Sequence, residues 1–272
     1  MSKLLLPSAP PVLLAALLYL GAGLGMAAIS LVRRALRASR EDVRLRRTDL
    51  PFVLGIVVTG GVLGPVLMLM GLRLVSGIVG SLLLNLEGPL TAVLAVLLFG
   101  DRLTGREGMA AALIFAGAAV VTWTPGASAR PWLGGVMIAA ACLSWAIDNN
   151  LTQRLSVRDP IALVRVKTLS AGSCNLALAL ALGQRVAAPS LLFPVALIGF
   201  LCYGVSILLD VYALRFLGAA REAAFFATAP FMGVLVAVPL LGERLRWSDT
   251  VAATAMIIGV AVLVRGRTSS AT

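Results

Sequence analysis

Residues 76–100 read "SGIVGSLLLNLEGPLTAVLAVLLFG". A helix needs about 20 apolar residues to cross a hydrocarbon core roughly 30 Å thick, so a run of this length and composition predicts a membrane span. Its centre breaks the pattern with "NLEGPL", residues 85–90. Glu87 is a carboxyl at membrane depth, costly unless paired or hydrated. Gly88 weakens the helix, and Pro89 lacks a backbone donor and clashes with the carbonyl four residues earlier, that of Asn85. The stretch predicts a span deliberately broken near its middle, with a freed carbonyl beside a carboxyl.

The rest of the chain matches. Of its 272 residues, 60% are hydrophobic and 13% charged, too little polar content to cover a soluble domain. Long apolar runs recur near 11–32, 51–72, 76–99, 106–124, 132–153, 160–182, 192–216, 220–241 and 248–265. The expected fold is an all-α polytopic membrane protein with nine transmembrane helices. The net charge of +11 does not point to nucleic acid, because Lys and Arg gather in short loops between apolar runs, as the positive-inside bias predicts. With the loop 33–49 inside, 17 cations fall on the cytoplasmic side and 6 outside. The N-terminus is then outside and the C-terminus inside, and Trp123, Trp132 and Trp247 fall at the outer interface.

Several chemistries drop out. No histidine is present, which removes Ser-His-Asp and Cys-His nucleophilic sites and His-held metal. Cys142, Cys174 and Cys202 lie in apolar runs without metal-ligand spacing and read as small core residues. No phosphate-binding glycine loop follows a strand, so ATP coupling finds no support. The glycines Gly21, Gly23, Gly25, Gly60, Gly61 and Gly64 read as close helix packing. No cleavable signal peptide is evident, since the first apolar run continues into a full-length span. The chain is expected not to be an enzyme and to need no cofactor and no metal.

The two halves repeat. "PLTAVLAVLLFGDRL" (89–103) is answered by "PFMGVLVAVPLLGERL" (230–245), so Pro89 corresponds to Pro230. Gly117 matches Gly259, and Gly71-Leu72-Arg73 matches Ala213-Leu214-Arg215, both at an offset of 142. The topology puts Asp101 inside and Glu243 outside, so the repeats are inverted, an arrangement characteristic of secondary transporters. Residues 1–126 form a first repeat of four helices and 127–272 a second of five.

A proline-marked helix, then "G-D/E-R-L", then a glycine-marked final helix, given twice, resembles the EamA-type drug/metabolite transporter superfamily. Its most specific pieces are "SLLLNLEGPLTAVLAVLLFGDRL", "WAIDNNLTQRLS" and "ATAPFMGVLVAVPLLGERL". The resemblance implies two inverted five-helix repeats that move small metabolites, often outward, across the bacterial inner membrane. With four runs in its first repeat against the family's five, the sequence departs from that pattern at the family's first helix, and the expectation is either a start set too late or a nine-helix variant.

Other polar groups at membrane depth are site candidates beside Asn85 and Glu87. Asp148, Asn149 and Asn150 follow one another and cover about 200° of a helix, so at least one points into the protein. Lys167 and Asp210 lie at a depth similar to that of Asp148, which places Lys167 within ion-pair reach of one of them. Thr228 occupies in the second repeat roughly the place of Glu87 in the first. Arg165, nearer the surface, is expected to snorkel. Structural readings stand beside each: a neutral hydrogen-bonded carboxyl at Glu87, a purely structural ion pair at Lys167.

The expected function is secondary transport, by alternating access, of a small polar metabolite or amino-acid-like compound. Export and proton coupling through Glu87 are part of that expectation. A non-transporting truncated membrane protein or partner subunit is the alternative. The expected partners are a small-molecule substrate and the lipid bilayer, with a homodimer left open and nucleic acid excluded.

Overall fold

The computed structural model describes residues 2–7, 9–36, 43–99, 104–123, 131–185, 189–217 and 226–268. The first "GDRL" copy at 100–103, and Arg37, Arg40, Arg130 and Arg221 of the charge count, lie outside the described residues. The fold is helical. After a short turn of helix at Ser2–Leu5 come α1 (Pro11–Ala35), α2 (Arg47–Leu74), α3 (Gly77–Leu83), α4 (Glu87–Phe99) and α5 (Gly105–Trp123). These are followed by α6 (Pro131–Leu155), α7 (Pro160–Ala181), α8 (Pro189–Phe216), α9 (Ala229–Leu241) and α10 (Trp247–Thr268).

Among the described residues, six helices are long and apolar enough to cross a membrane: Pro11–Ala35, Arg47–Leu74, Gly77–Leu94, Gly105–Thr122, Trp132–Leu155 and Pro189–Phe216. The expected run 160–182 is a 22-residue helix that carries Arg165 and Lys167. The last two runs appear as the shorter apolar helices Ala229–Leu241 and Trp247–Val262. Large apolar side chains such as Leu24, Leu54, Phe193, Leu209 and Leu235 are exposed, as lipid-facing residues must be.

Elements recur at a constant spacing. Arg47 and Pro189 each open a 3-10 turn, and Leu50 and Leu192 begin the helices after it. Gly64 and Ser206 begin helix again after a π-helical segment, Val57–Leu63 in α2 and Phe200–Val205 in α8. Gly105 and Trp247 begin helices, while Phe99 and Leu241 end them. Each of these pairs of boundaries is separated by 142 residues, the offset already visible in the sequence.

The chain forms two compact units, one from Met1–Leu69 with Ile147–Phe216, the other from Met70–Ala146 with Leu217–Thr272. In the first unit, α1 crosses α7 and α8 at small residues. A side chain at Gly21 would meet the backbone of Ala196, one at Gly25 the ring of Phe200, and one at Gly172 the backbone of Leu20. Lipid tails are as apolar as leucine, so close backbone approach supplies the attraction that burial supplies in water. The core between these helices holds Tyr19, Met26, Ile56, Val164 and Val211. In the second unit α5 and α10 use the same device in both directions, with Gly117 against Met256 and Gly259 against Ala110. Its core holds Ile78, Leu82, Ile114, Ile138 and Met256.

Candidate functional site

In the first unit the charged residues of two helices meet. Asp148 near the end of α6 is 4% exposed and Lys167 in α7 is 5% exposed. The Lys167 ammonium donates to Asp148 Oδ2 at 2.5 Å. One turn on, the Thr152 hydroxyl donates to Oδ1 at 3.3 Å, on the face that an i, i+4 spacing provides. Lys167 therefore has its expected ion-pair partner, and that partner is Asp148. The carboxylate of Asp210, on α8, acts on Asp148 through space as a like charge. Of the three consecutive polar residues, Asp148 and Asn150 are buried and Asn149 is half-buried.

The pair rests against the π-helical segment of α2. A Cβ built on Gly60 would run into the Asp148 carboxylate. Gly60 packs closely as expected, and the group that packs on it is charged, whereas Gly61 packs against Ala171. A π turn carries one more residue than an α turn and disturbs the i→i−4 ladder, so carbonyls there turn to side chains. The Tyr19 hydroxyl of α1 donates to the Gly60 carbonyl at 2.8 Å. The Asn175 amide of α7 donates to the Gly61 carbonyl at 3.0 Å. Asn175 is fully buried, and its Oδ1 has no hydrogen-bond partner. The Tyr19 ring also packs, tilted, on Tyr203 in the π segment of α8, with centroids 5.5 Å apart. Tyr19, Asn175, Thr152 and Tyr203 were not foreseen. The one signal for the first two was Gly60-Gly61 inside an apolar span, which leaves backbone carbonyls in need of donors.

The second unit holds the broken span. A 3-10 turn, Leu84–Leu86, separates α3 from α4, and Glu87 opens α4 with Pro89 in its first turn. The break predicted at "NLEGPL" is there, as a tightening of the helix. Asn85 is buried, its amide donating to the Leu82 carbonyl at 3.3 Å while its Oδ1 has no partner. Glu87 is 7% exposed, and its carbonyl accepts from Thr91 Oγ1 at 2.8 Å. A Cβ built on Gly88 meets nothing within 4 Å. Cys142 of α6 donates to the Leu83 carbonyl at 3.6 Å. Pro230 is buried in the first turn of α9, where a missing N–H costs nothing. Thr228, just before it, is exposed. Glu243, read from the sequence only as a repeat marker, caps α3: its oxygens accept from the backbone N–H groups of Gly77 at 2.6 Å and Ile78 at 2.8 Å.

Two milder expectations change. Arg165 does not merely snorkel, since its guanidinium donates to Ser30 Oγ at 2.8 Å. Cys142 is a buried core residue, but Cys174 and Cys202 are exposed. At the ends of the first unit's helices, Arg158 pairs with Asp49 at 2.9 Å, and Arg215 donates to the carbonyls of Ser156 and Arg158.

Among known proteins, the EamA-like transporter family matches residues 1–123 and 132–265. The chain belongs to this family. The EamA-like match covers the ion pair, the π segments and the broken span together. An uncharacterized transporter of Methanothermobacter thermautotrophicus is 27% identical over 277 residues, a match that takes in 97% of this chain and 80% of that protein. A solved crystal structure shares the fold at a TM-score of 0.66 and 18% identity, covering 96% of this chain and 89% of its own. As an EamA-like transporter with six helices of spanning length among the described residues, the protein is a multi-pass membrane protein of a transport family, in keeping with the reading that it is not an enzyme.

Proposed function

We propose that the protein is a secondary transporter that exports small polar metabolites or amino-acid-like compounds across the cytoplasmic membrane of a bacterium by alternating access, driven by protons. Nine spans make two inverted repeats, 1–126 with four helices and 127–272 with five, the N-terminus outside and the C-terminus inside. The observation that carries this reading is the buried Asp148–Lys167 pair. A charged pair inside an apolar bundle is expensive to keep and marks a substrate or ion pathway by default. Asn149 and Asp210 complete the polar surface of that unit. Asn85, Glu87 and Thr228 serve as polar contacts at the breaks marked by Gly88, Pro89 and Pro230. The constant spacing of the helix boundaries supports the repeat, and the 17-to-6 charge asymmetry supports the orientation.

The test compares metabolites inside and outside cells with and without the protein, followed by counterflow of the compounds that differ in proteoliposomes. An exported polar compound that the purified protein also exchanges is expected. No compound that differs between the cells would return the protein to the non-transporting alternative. Orientation is checked on a cysteine-free background: a membrane-impermeant thiol reagent added outside should label a cysteine at 127 or 187 and spare one at 40 or 156. Outside labelling at 40 would remove the inverted arrangement.

A further inference from the structure

We infer that Asp148 is the protonation site of the transport cycle, and that Lys167 is its built-in counter-ion, released from Asp148 when a proton arrives and received by Asp210. The driving role of this site rests on the transporter reading above; the protonation itself does not.

The geometry selects the group. Asp148 has one acidic oxygen on the Lys167 ammonium and the other on the Thr152 hydroxyl. Its carboxylate lies on the bare backbone of Gly60, whose carbonyl is held by the Tyr19 hydroxyl. The groups that face it from the helices packed around it are Lys167 of α7, Asp210 of α8, Thr152 of its own helix and, through Gly60, Tyr19 of α1. The buried pair thus sits beside a second acid, Asp210, whose like charge acts on Asp148, and a water-poor site of this kind does not favour two ionised carboxylates. One of them is the natural resting place for a proton.

The ligand is a proton and not a metal. Among the described residues no group of three His, Cys, Asp or Glu side chains could hold a metal ion, and hard cations want six or more oxygens. A proton needs a single carboxylate and a way to dispose of the displaced charge. The step balances without a co-reactant. A proton from water forms an O–H bond on Asp148 Oδ2, and the hydrogen bond from Lys167 Nζ to that oxygen breaks. Lys167 keeps its own proton and donates to the Asp210 carboxylate. The site gains one charge, which is returned when the proton leaves toward the opposite side. The Thr152 hydroxyl stays on Oδ1 in both states, so the carboxyl keeps its place while its partner changes. Moving the ammonium between α6 and α8 alters which helix α7 is tied to, and this is the link from proton to helix motion.

The experiment is infrared difference spectroscopy on the full-length protein in lipid nanodiscs, titrated from alkaline to acid pH. The expected result is the carbonyl stretch of a protonated carboxylic acid that appears on acidification and is absent from Asp148→Asn. In Lys167→Met, whose fold is checked by thermal unfolding, the same band should be present across the whole range, because the carboxyl has lost its counter-ion. A band that survives in Asp148→Asn and vanishes in Glu87→Gln overturns the assignment, as does the absence of any band in the wild-type protein. In proteoliposomes, Asp148→Asn should lose accumulation driven by a pH gradient; gradient-driven accumulation in that variant also overturns it. A wild-type protein that shows the Asp148 band but moves nothing would leave the protonation site standing and sink the transporter reading alone.

Discussion

The π segment of α2 and the 3-10 turn before α4 both interrupt an apolar span beside a buried carboxyl, but they do so in opposite senses. The π turn is wide. It calls in donors from two other helices, Tyr19 and Asn175, and gives a bare backbone on which Asp148 can lie. The 3-10 turn is narrow. The carbonyls just before it take one donor from the turn itself, Asn85 to Leu82, and one thiol from another helix, Cys142 to Leu83, while the position beside Gly88 stays open. The first interruption is tied into the packing of its unit, and the second leaves space. A broken helix alone therefore says little about where charge is handled; both breaks draw a donor from a neighbouring helix, and they differ in what lies on the backbone, a carboxylate at Gly60 and open space at Gly88.

The sharpest way to break this comparison is to strand a charge. Lys167→Met should destabilise the protein by about 3–5 kcal/mol, because it leaves a buried carboxylate without its partner. Adding Asp148→Asn should recover most of that loss in thermal unfolding, and strictly additive losses would deny the pairing. The next contrast sets the two glycines against each other. Gly60→Ala should cost about 1–3 kcal/mol by overpacking against the Asp148 carboxylate. Gly88→Ala, with open space around it, should be neutral or stabilise by about 0.4–1 kcal/mol through the unfolded chain. Equal effects at the two positions would erase the distinction drawn between the breaks. The mildest contrast concerns the polar partners. Tyr19→Phe removes the donor to the Gly60 carbonyl and should cost about 1–2 kcal/mol, while Asn85→Leu, which also removes an orphaned oxygen, should cost less.

The sequence shows some of this and hides the rest for physical reasons. A charge in an apolar run stands out, so Asp148, Lys167 and Glu87 could be found by depth alone. Choosing Asp148 over Asp210 as the partner of Lys167 needed the rotation of three helices about their axes, which composition does not carry. Tyr19 and Asn175 sit among ordinary apolar residues, and their roles exist only because α2 departs from α geometry. That departure adds one residue, and its one trace in the sequence is the Gly60-Gly61 pair within an apolar span. Glu243 was visible as part of a repeated motif, but its capping of Gly77 and Ile78 joins positions far apart in the chain. The overall helical fold was legible because hydrocarbon permits few alternatives.

The two π segments, Val57–Leu63 and Phe200–Val205, meet at one side chain. They end 142 residues apart, and each wide turn is put to a different use. One is the glycine seat of a carboxylate, while the other holds an aromatic ring, Tyr203, against Tyr19 of α1. Tyr19 thus touches both, its hydroxyl on the Gly60 carbonyl and its ring on Tyr203.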